Sequence, residues 1–472
     1  MPVTTIASLL LVFATAAQPA KPALRAGAHD QDVTPEKFPI SVNGGMADRK
    51  ATAAHDPLYA RCLVLDDGAT KLAIVVVDSC MLPQELIDAA KQLAQEKTGI
   101  PAANVLVSAT HTHTAPTVAG VFQSEPDAAY AKFLAGKIAA GIEKAHAKLA
   151  PAKVAWAVGR EPNHVFNRRW KLRAGVANAD PFGGTTDRVR MNPPRQSADL
   201  LEPAGPTDPA VTVLSVRTAD DKPLALFANY SLHYVGDMPP LSADYFGVFA
   251  EVMTQKLKAG PGFVAMLSNG TSGDVNNINF REAAPKLKPG ERSRIVAEAV
   301  AEAAVKALEQ AEYRADVTLA AATGRLELPV RKPRAADVKR AEEILAKAAG
   351  RELKGVEEIY ARETVLLAKY PEKVTIPLQA FRIGDLAIGA IPCEVFTEIG
   401  LAVKKSSPLK TTCVVSLANG YYSYLPTPAH HALGGYETWR TRSSFLGVNA
   451  SESIEKELRE LIGRVQPAKR PE

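Results

Sequence analysis

Residues 104–116 read NVLVSATHTHTAP: an aliphatic run, then two histidines one residue apart. Asn104–Ser108 is short and rich in Val and Leu, the composition of a buried strand. His111 falls just past its end. Positions i and i+2 of an extended chain face one side, so His111 and His113 are expected to point to one place. An HxH pair also occurs in ordinary loops, so the rest of the chain decides its meaning. Similar runs recur at Lys71–Asp78, Val154–Val158, Val211–Val216, Leu224–Ala228, Phe263–Leu267, Leu386–Ile391 and Cys413–Leu417. Between them lie helical stripes. One runs through Tyr130, Phe133, Leu134, Ile138, Ile142 and Leu149; a looser one runs through Ile295, Val296, Val300, Val305 and Leu308. Strands alternating with helices predict an α/β fold, here one large domain of mixed β-sheets packed against helices. The charge-dense stretch Ala335–Lys369 predicts a surface helical pair broken at Gly350. Pro181–Pro206, rich in Pro, Gly, Asp and Arg, is expected to be a long surface loop. No internal repeat is apparent.

The composition excludes several classes. The 472 residues carry 56 basic and 51 acidic side chains, a net charge of +5 spread along the chain. No basic run is interleaved with aromatics, so nucleic acid is not an expected partner. Met1–Ala17 carries a short apolar run from Ile6 to Ala14 followed by small residues, though no Lys or Arg precedes it. It resembles a secretory signal peptide cleaved near Ala17, with the folded domain spanning about 23–465; the run is shorter than the ~20 apolar residues of a membrane helix. An exported, periplasmic or secreted protein is the expectation. Cys62, Cys80, Cys393 and Cys413 sit in or beside apolar runs and match no zinc knuckle. Buried thiols are expected, with a Cys62–Cys80 disulfide as the alternative.

Several of these strands end in ligand-capable residues. His233 follows Leu224–Ala228, a Gly/Asn/Asp loop follows Phe263–Leu267, Glu394 follows Leu386–Ile391, and Tyr421, Tyr422 and Tyr424 follow Cys413–Leu417. Sites in α/β folds form where loops converge at strand ends. Two or three histidines with a glutamate are the usual protein ligands of a catalytic zinc, which keeps one position open. Glu398 competes with Glu394, but a first helical turn suits Glu398 and a strand end suits Glu394. His430 and His431 lie in a polar loop and read as solvent-exposed. Asp78 and Asp244 can orient a ligand histidine or cap a turn; His55–Asp56 can play the same supporting part.

SATHTHTAP resembles the SATHTHSGP signature of the neutral, non-lysosomal ceramidase family, and the likeness continues in order from about Leu24 to Leu461. The resemblance implies a Zn2+ held by His111, His233, Glu394 and Tyr424, with His113 beside the metal. It also implies a substrate-facing arginine, Arg168 of the NR pair Asn167–Arg168, and a substrate-side tyrosine, Tyr436. Two departures stand out. The family loop GDVSPN reads Gly273-Asp274-Val275-Asn276-Asn277 here, which puts Asn276 at a serine position. The family's C-terminal β-sandwich is also expected to be missing.

Chemistry without the serine is self-consistent. A zinc ion lowers the pKa of bound water to ~7 and polarises a carbonyl. His113 has the intrinsic pKa of a proton carrier. Arg168, Tyr436 and the amide of Asn276 are the expected oxyanion donors. The expected function is zinc-dependent hydrolysis of an amide in an N-acyl lipid or a small N-acyl compound, with transient membrane-surface contact. The alternatives are a non-catalytic exported binding protein on the same fold, or a zinc esterase or lactonase. The sequence leaves the oligomeric state open.

Overall fold

The structure, a computed structural model, describes residues 23–467; the leader-like segment lies outside them. Its core is built from three copies of one unit. In the first unit β1 (Arg25–Asp32), β2 (Tyr59–Asp66) and β3 (Lys71–Val77) pair antiparallel, and β3 then pairs parallel with β4 (Val105–Ala109) across helix α1 (Gln84–Thr98). Helix α2 (Ala128–Ala147) closes the unit. The second unit repeats this order with β5 (Ala150–Arg160), β6 (Ala210–Thr218), β7 (Pro223–Tyr230), β8 (Val264–Asn269), the crossover α3 (Asp244–Lys256) and the closing α4 (Glu291–Leu308). The third unit uses β9 (Leu319–Pro329), β10 (Lys373–Ile383), β11 (Leu386–Ala390) and β12 (Thr411–Val415), and it also carries a helical pair, α5 (Ala335–Lys347) and α6 (Gly355–Ala368). Its crossover is α7 (Thr397–Ser406) and its closing helix α8 (Ala450–Arg464). The pair α5 and α6 is inserted between β9 and β10. This internal repeat is absent from the sequence reading, because what recurs is pairing order rather than residue identity.

The first two units join through a short antiparallel contact, Arg25 with Pro151 and Ala26 with Ala150, giving eight hydrogen-bonded strands. The third forms its own four-stranded sheet. One apolar layer is shared by strands of all three units, including Ile74, Leu106, Phe227, Met266, Ile388 and Val415. The opposite strand faces are covered by the helices of their own units. With both faces covered, the strands read as continuous apolar runs rather than alternating ones; Leu72–Val77 are all buried.

The three edge strands meet at their C-terminal ends. Ala109 N donates to Leu417 O (3.1 Å), Asn419 N to Val107 O (2.8 Å) and Ser416 N to Asn269 O (3.0 Å). The loops leaving β3, β4, β7, β8, β11 and β12 therefore open toward one place.

Other expectations change. Part of Pro181–Pro206 is structured: Val189–Met191 and Leu200–Pro203 flank Arg169–Leu172 in a three-stranded sheet. The helical pair is present, with Gly350 at φ 81° between its members. All four cysteines are free and buried, so Cys62 and Cys80 form no disulfide.

Candidate metal and active site

His111 leaves β4 in the left-handed region, at φ 74°, held there by its N–H to Ser79 O (2.9 Å). That conformation costs a non-glycine residue about 1–3 kcal/mol and clusters at functional sites. The two histidines do converge, but through this turn and not through an extended pleat: their Nε2 atoms are 3.2 Å apart, with rings at 90°. Beyond β7, His233 brings its Nε2 to 3.1 Å from His111 Nε2. Glu394 follows β11 and places Oε2 at 3.1 Å from the same nitrogen. It pairs with Tyr424 in a short parallel bridge, which sets the two side by side. His111, His233 and Glu394 are all buried.

Their proton arrangement can be read from outside the cluster. His111 Nδ1 lies 2.7 Å from Cys80 O and His233 Nδ1 3.1 Å from Ser272 O. A carbonyl only accepts, so each Nδ1 carries the hydrogen and each neutral ring aims a bare Nε2 inward. Glu394 Oε2 has no hydrogen-bond partner. Two lone pairs and a carboxylate oxygen thus meet in a buried space, with ligand atoms within 4.8 Å of one another. Such a set requires a positive charge. A proton on His111 is one: burial opposes it, but Glu394 and Cys80 push its pKa up to about 10. A divalent cation is the other, and backbone carbonyls orienting the distal nitrogens are the usual support of metal-bound histidines. The residues present fit such an ion.

His233 and His113 are held well below the ordinary histidine range, first by burial; Arg168 adds to this for His233 and His111 for His113. His113 stacks on Tyr234 (centroids 3.7 Å apart), and a Cβ at Gly44 (φ 102°) would fall 2.4 Å from His113 Cβ, so that turn requires glycine. Arg168 Nη1 lies 3.2 Å from His233 Nε2, and its Nη2 donates to Tyr424 Oη (3.1 Å) and Gly273 O (3.0 Å). Tyr436, half-buried, packs edge-on to Tyr424 at 5.9 Å.

With this geometry in hand, comparison with known proteins is direct. The profile of the family described as neutral/alkaline non-lysosomal ceramidase, N-terminal, matches residues 24–286. The chain belongs to this family. A curated relative, neutral ceramidase B of Dictyostelium discoideum, is 25% identical over 261 residues, covering 50% of this chain and 32% of the relative. The chain thus matches about a third of that relative's length. The crystal structure of neutral ceramidase from Pseudomonas aeruginosa shares the fold at a TM-score of 0.69 and 21% identity, over 93% of this chain and 74% of that one. A structure described as ceramidase complexed with C2 matches at 0.71 and 19% identity, over 95% and 77%.

In this ceramidase-family chain the side chain of Asn276 is engaged within its own loop. Its Nδ2 donates to Asn192 Oδ1 (2.8 Å) and its Oδ1 accepts from Ile278 N (2.9 Å), so the amide closes a loop. Glu398 sits in the first turn of α7 and accepts from Thr427 Oγ1 (2.6 Å), apart from the triad. His430 is buried rather than exposed, against Phe396, and burial with Arg169 lowers it to about 4. Asp78 binds Arg61 and Tyr59 N; Asp244 caps Val235 N and Gly236 N; Asp56 accepts from Ala243 N. None of these carboxylates takes the second nitrogen of His111 or His233, which backbone carbonyls already hold. The sequence reading missed Glu437, a buried carboxylate on Arg168, and the role of Tyr421, whose hydroxyl donates to Glu394 Oε1 (3.2 Å). The only signal for Glu437 was its place next to Tyr436.

Proposed function

We propose that this chain is a zinc-dependent amidohydrolase that cleaves the amide bond of a ceramide-like N-acyl lipid, with His111, His233, Glu394 and Tyr424 as the ligand set. The observation that carries it is the buried meeting of two bare imidazole nitrogens with the unpartnered Glu394 oxygen. Family membership supports the substrate class. When bound, the zinc ion supplies Lewis-acid polarisation and a lowered water pKa. The chain's own groups do the rest. Arg168 presents its terminal Nη1 at the cluster and binds the carbonyl oxygen through it as charge develops. Burial raises the pKa of Tyr436, so its phenol stays protonated and donates to the same oxygen. His113, neutral because it is buried, takes up a proton and returns it to the leaving amine. Asn276 has no part in this scheme.

The leader-like Met1–Ala17 supports export. Among the described residues no helix is long and apolar enough to cross a membrane. On the reading proposed here, substrate reaches the site from a lipid surface by transient contact. Turnover of a fluorescent short-chain N-acyl sphingosine, abolished by a chelator and restored by Zn2+, is the expected result. The engagement of Asn276 favours one other reading, a binding protein without turnover. Stoichiometric zinc with no cleavage across a panel of amides and esters would establish it; cleavage of esters or lactones alone would establish the esterase reading.

A further inference from the structure

Beside the cluster, two guanidiniums share one carboxylate. Glu437 is fully buried; its Oε1 accepts from Arg168 Nε (3.0 Å) and its Oε2 from Arg169 Nη1 (2.5 Å). Arg169 is itself fully buried and fixed, with Nη2 donating to Gly434 O (2.7 Å) and its guanidinium over the Phe396 ring at 5.3 Å. The three groups carry two positive charges and one negative, so one positive charge is left over. It falls on the edge of Arg168 that Glu437 does not touch. That edge, Nη1 and Nη2, faces His233 Nε2 and Tyr424 Oη.

We propose that Glu437 is a positioning residue: by gripping Arg168 through Nε alone, against the fixed Arg169, it leaves the terminal nitrogen Nη1 aimed at the place where a substrate carbonyl arrives. The physical reason is geometric. A guanidinium offers five donors in one rigid plane, so fixing Nε on a carboxylate fixes the direction of the other two nitrogens. The remaining partners of Arg168 are a ring nitrogen, a phenol oxygen and a carbonyl, all neutral acceptors and weaker anchors than a buried carboxylate. Without Glu437, the neighbouring charge of Arg169 is unscreened and drives Arg168 away. This inference rests on the proposed role of Arg168 in the reaction.

The test is the crystal structure of Glu437→Gln, with kinetics of Glu437→Gln, Arg168→Ala and the double variant. The expected structure has Arg168 Nη2 beyond hydrogen-bond distance of Gly273 O, which it reaches at 3.0 Å when Glu437 is present. The expected kinetics show kcat lowered about 100-fold, as for a catalytic group misplaced by an ångström, with KM nearly unchanged. Adding Glu437→Gln to Arg168→Ala should lower kcat no further. If Glu437→Gln fails to fold, Glu437→Asp keeps the charge, shortens the grip, and is expected to draw the guanidinium back from Gly273 O in the same way. An unmoved Arg168, or kcat losses that multiply in the double variant, overturns the proposal. The structural readout needs no turnover, so a wild-type protein that cleaves no N-acyl substrate would defeat the proposed function while leaving the positioning of Arg168 to be judged by itself.

Discussion

The two sides of the site are held in different ways. On the metal side, His111, His233 and Glu394 each stand just past the end of a core strand, and the two distal imidazole nitrogens are satisfied by backbone carbonyls of neighbouring loops. On the proposed substrate side, Arg168 lies between two short strands, Phe166–Asn167 and Arg169–Leu172; one backbone carbonyl, Gly273 O, holds its Nη2, and its charge is gripped by a side chain, Glu437, with Arg169 behind it. Backbone supports come with the fold, so the metal side is as rigid as the sheets. Side-chain supports can be lost one at a time, so the substrate side is where a single replacement retunes chemistry without dismantling the core.

The sharpest way to break this contrast is on the metal side. His233→Ala and His111→Ala should each remove the metal and the activity, a loss well beyond the about 10–100-fold expected for an outer partner. Metal analysis and turnover check both. Tyr421→Phe removes an outer partner of Glu394, so metal affinity should fall by roughly tenfold in a chelator competition. A fall as large as that of a ligand variant would place Tyr421 in the ligand set.

Acid sharpens the contrast next. His430 is lowered to about 4 in the folded chain, by burial first and then by Arg169. In the unfolded chain it takes up its proton near 6.5. Protons therefore favour the unfolded state, and stability drops as pH falls from about 6.5 toward 4, by about 1.4 kcal/mol per pH unit at most. Denaturant titrations at pH 7 and pH 5 should show a smaller drop for His430→Gln than for wild type; equal drops would contradict the assignment. The smallest effect is expected at Asn276. Asn276→Ala should lower stability by about 1 kcal/mol through its loop hydrogen bonds, with kcat within about twofold of wild type. A large loss of kcat at unchanged stability would return Asn276 to the chemistry.

Much of the metal side was legible in the sequence because its signals are local. A Val- and Leu-rich run followed by His111, Glu394 or the loop carrying His233 says both that a strand ends and that a ligand-capable side chain follows. Tyr424 and Arg168 needed the family resemblance, since nothing in their neighbourhoods points to a metal. Glu437 was illegible: its meaning lies in Arg168 and Arg169, some 268 residues distant from the latter, and a lone carboxylate after an aromatic has many ordinary uses. His430 was misread because a His-His pair between Pro and Gly looks solvated, whereas Phe396 and Arg169 close over it. The threefold repetition of the core was invisible for the same reason: it is written in which strand pairs with which, not in the residues.

The most direct test of the central claim is a zinc-edge anomalous map of crystals grown at neutral pH, read beside the metal content of the protein in solution. The account predicts one zinc per chain, about 2.0–2.2 Å from Nε2 of His111 and His233 and from a carboxylate oxygen of Glu394, absent in His233→Ala. A folded, neutral-pH protein that takes up no zinc, or holds it away from these three side chains, would contradict it.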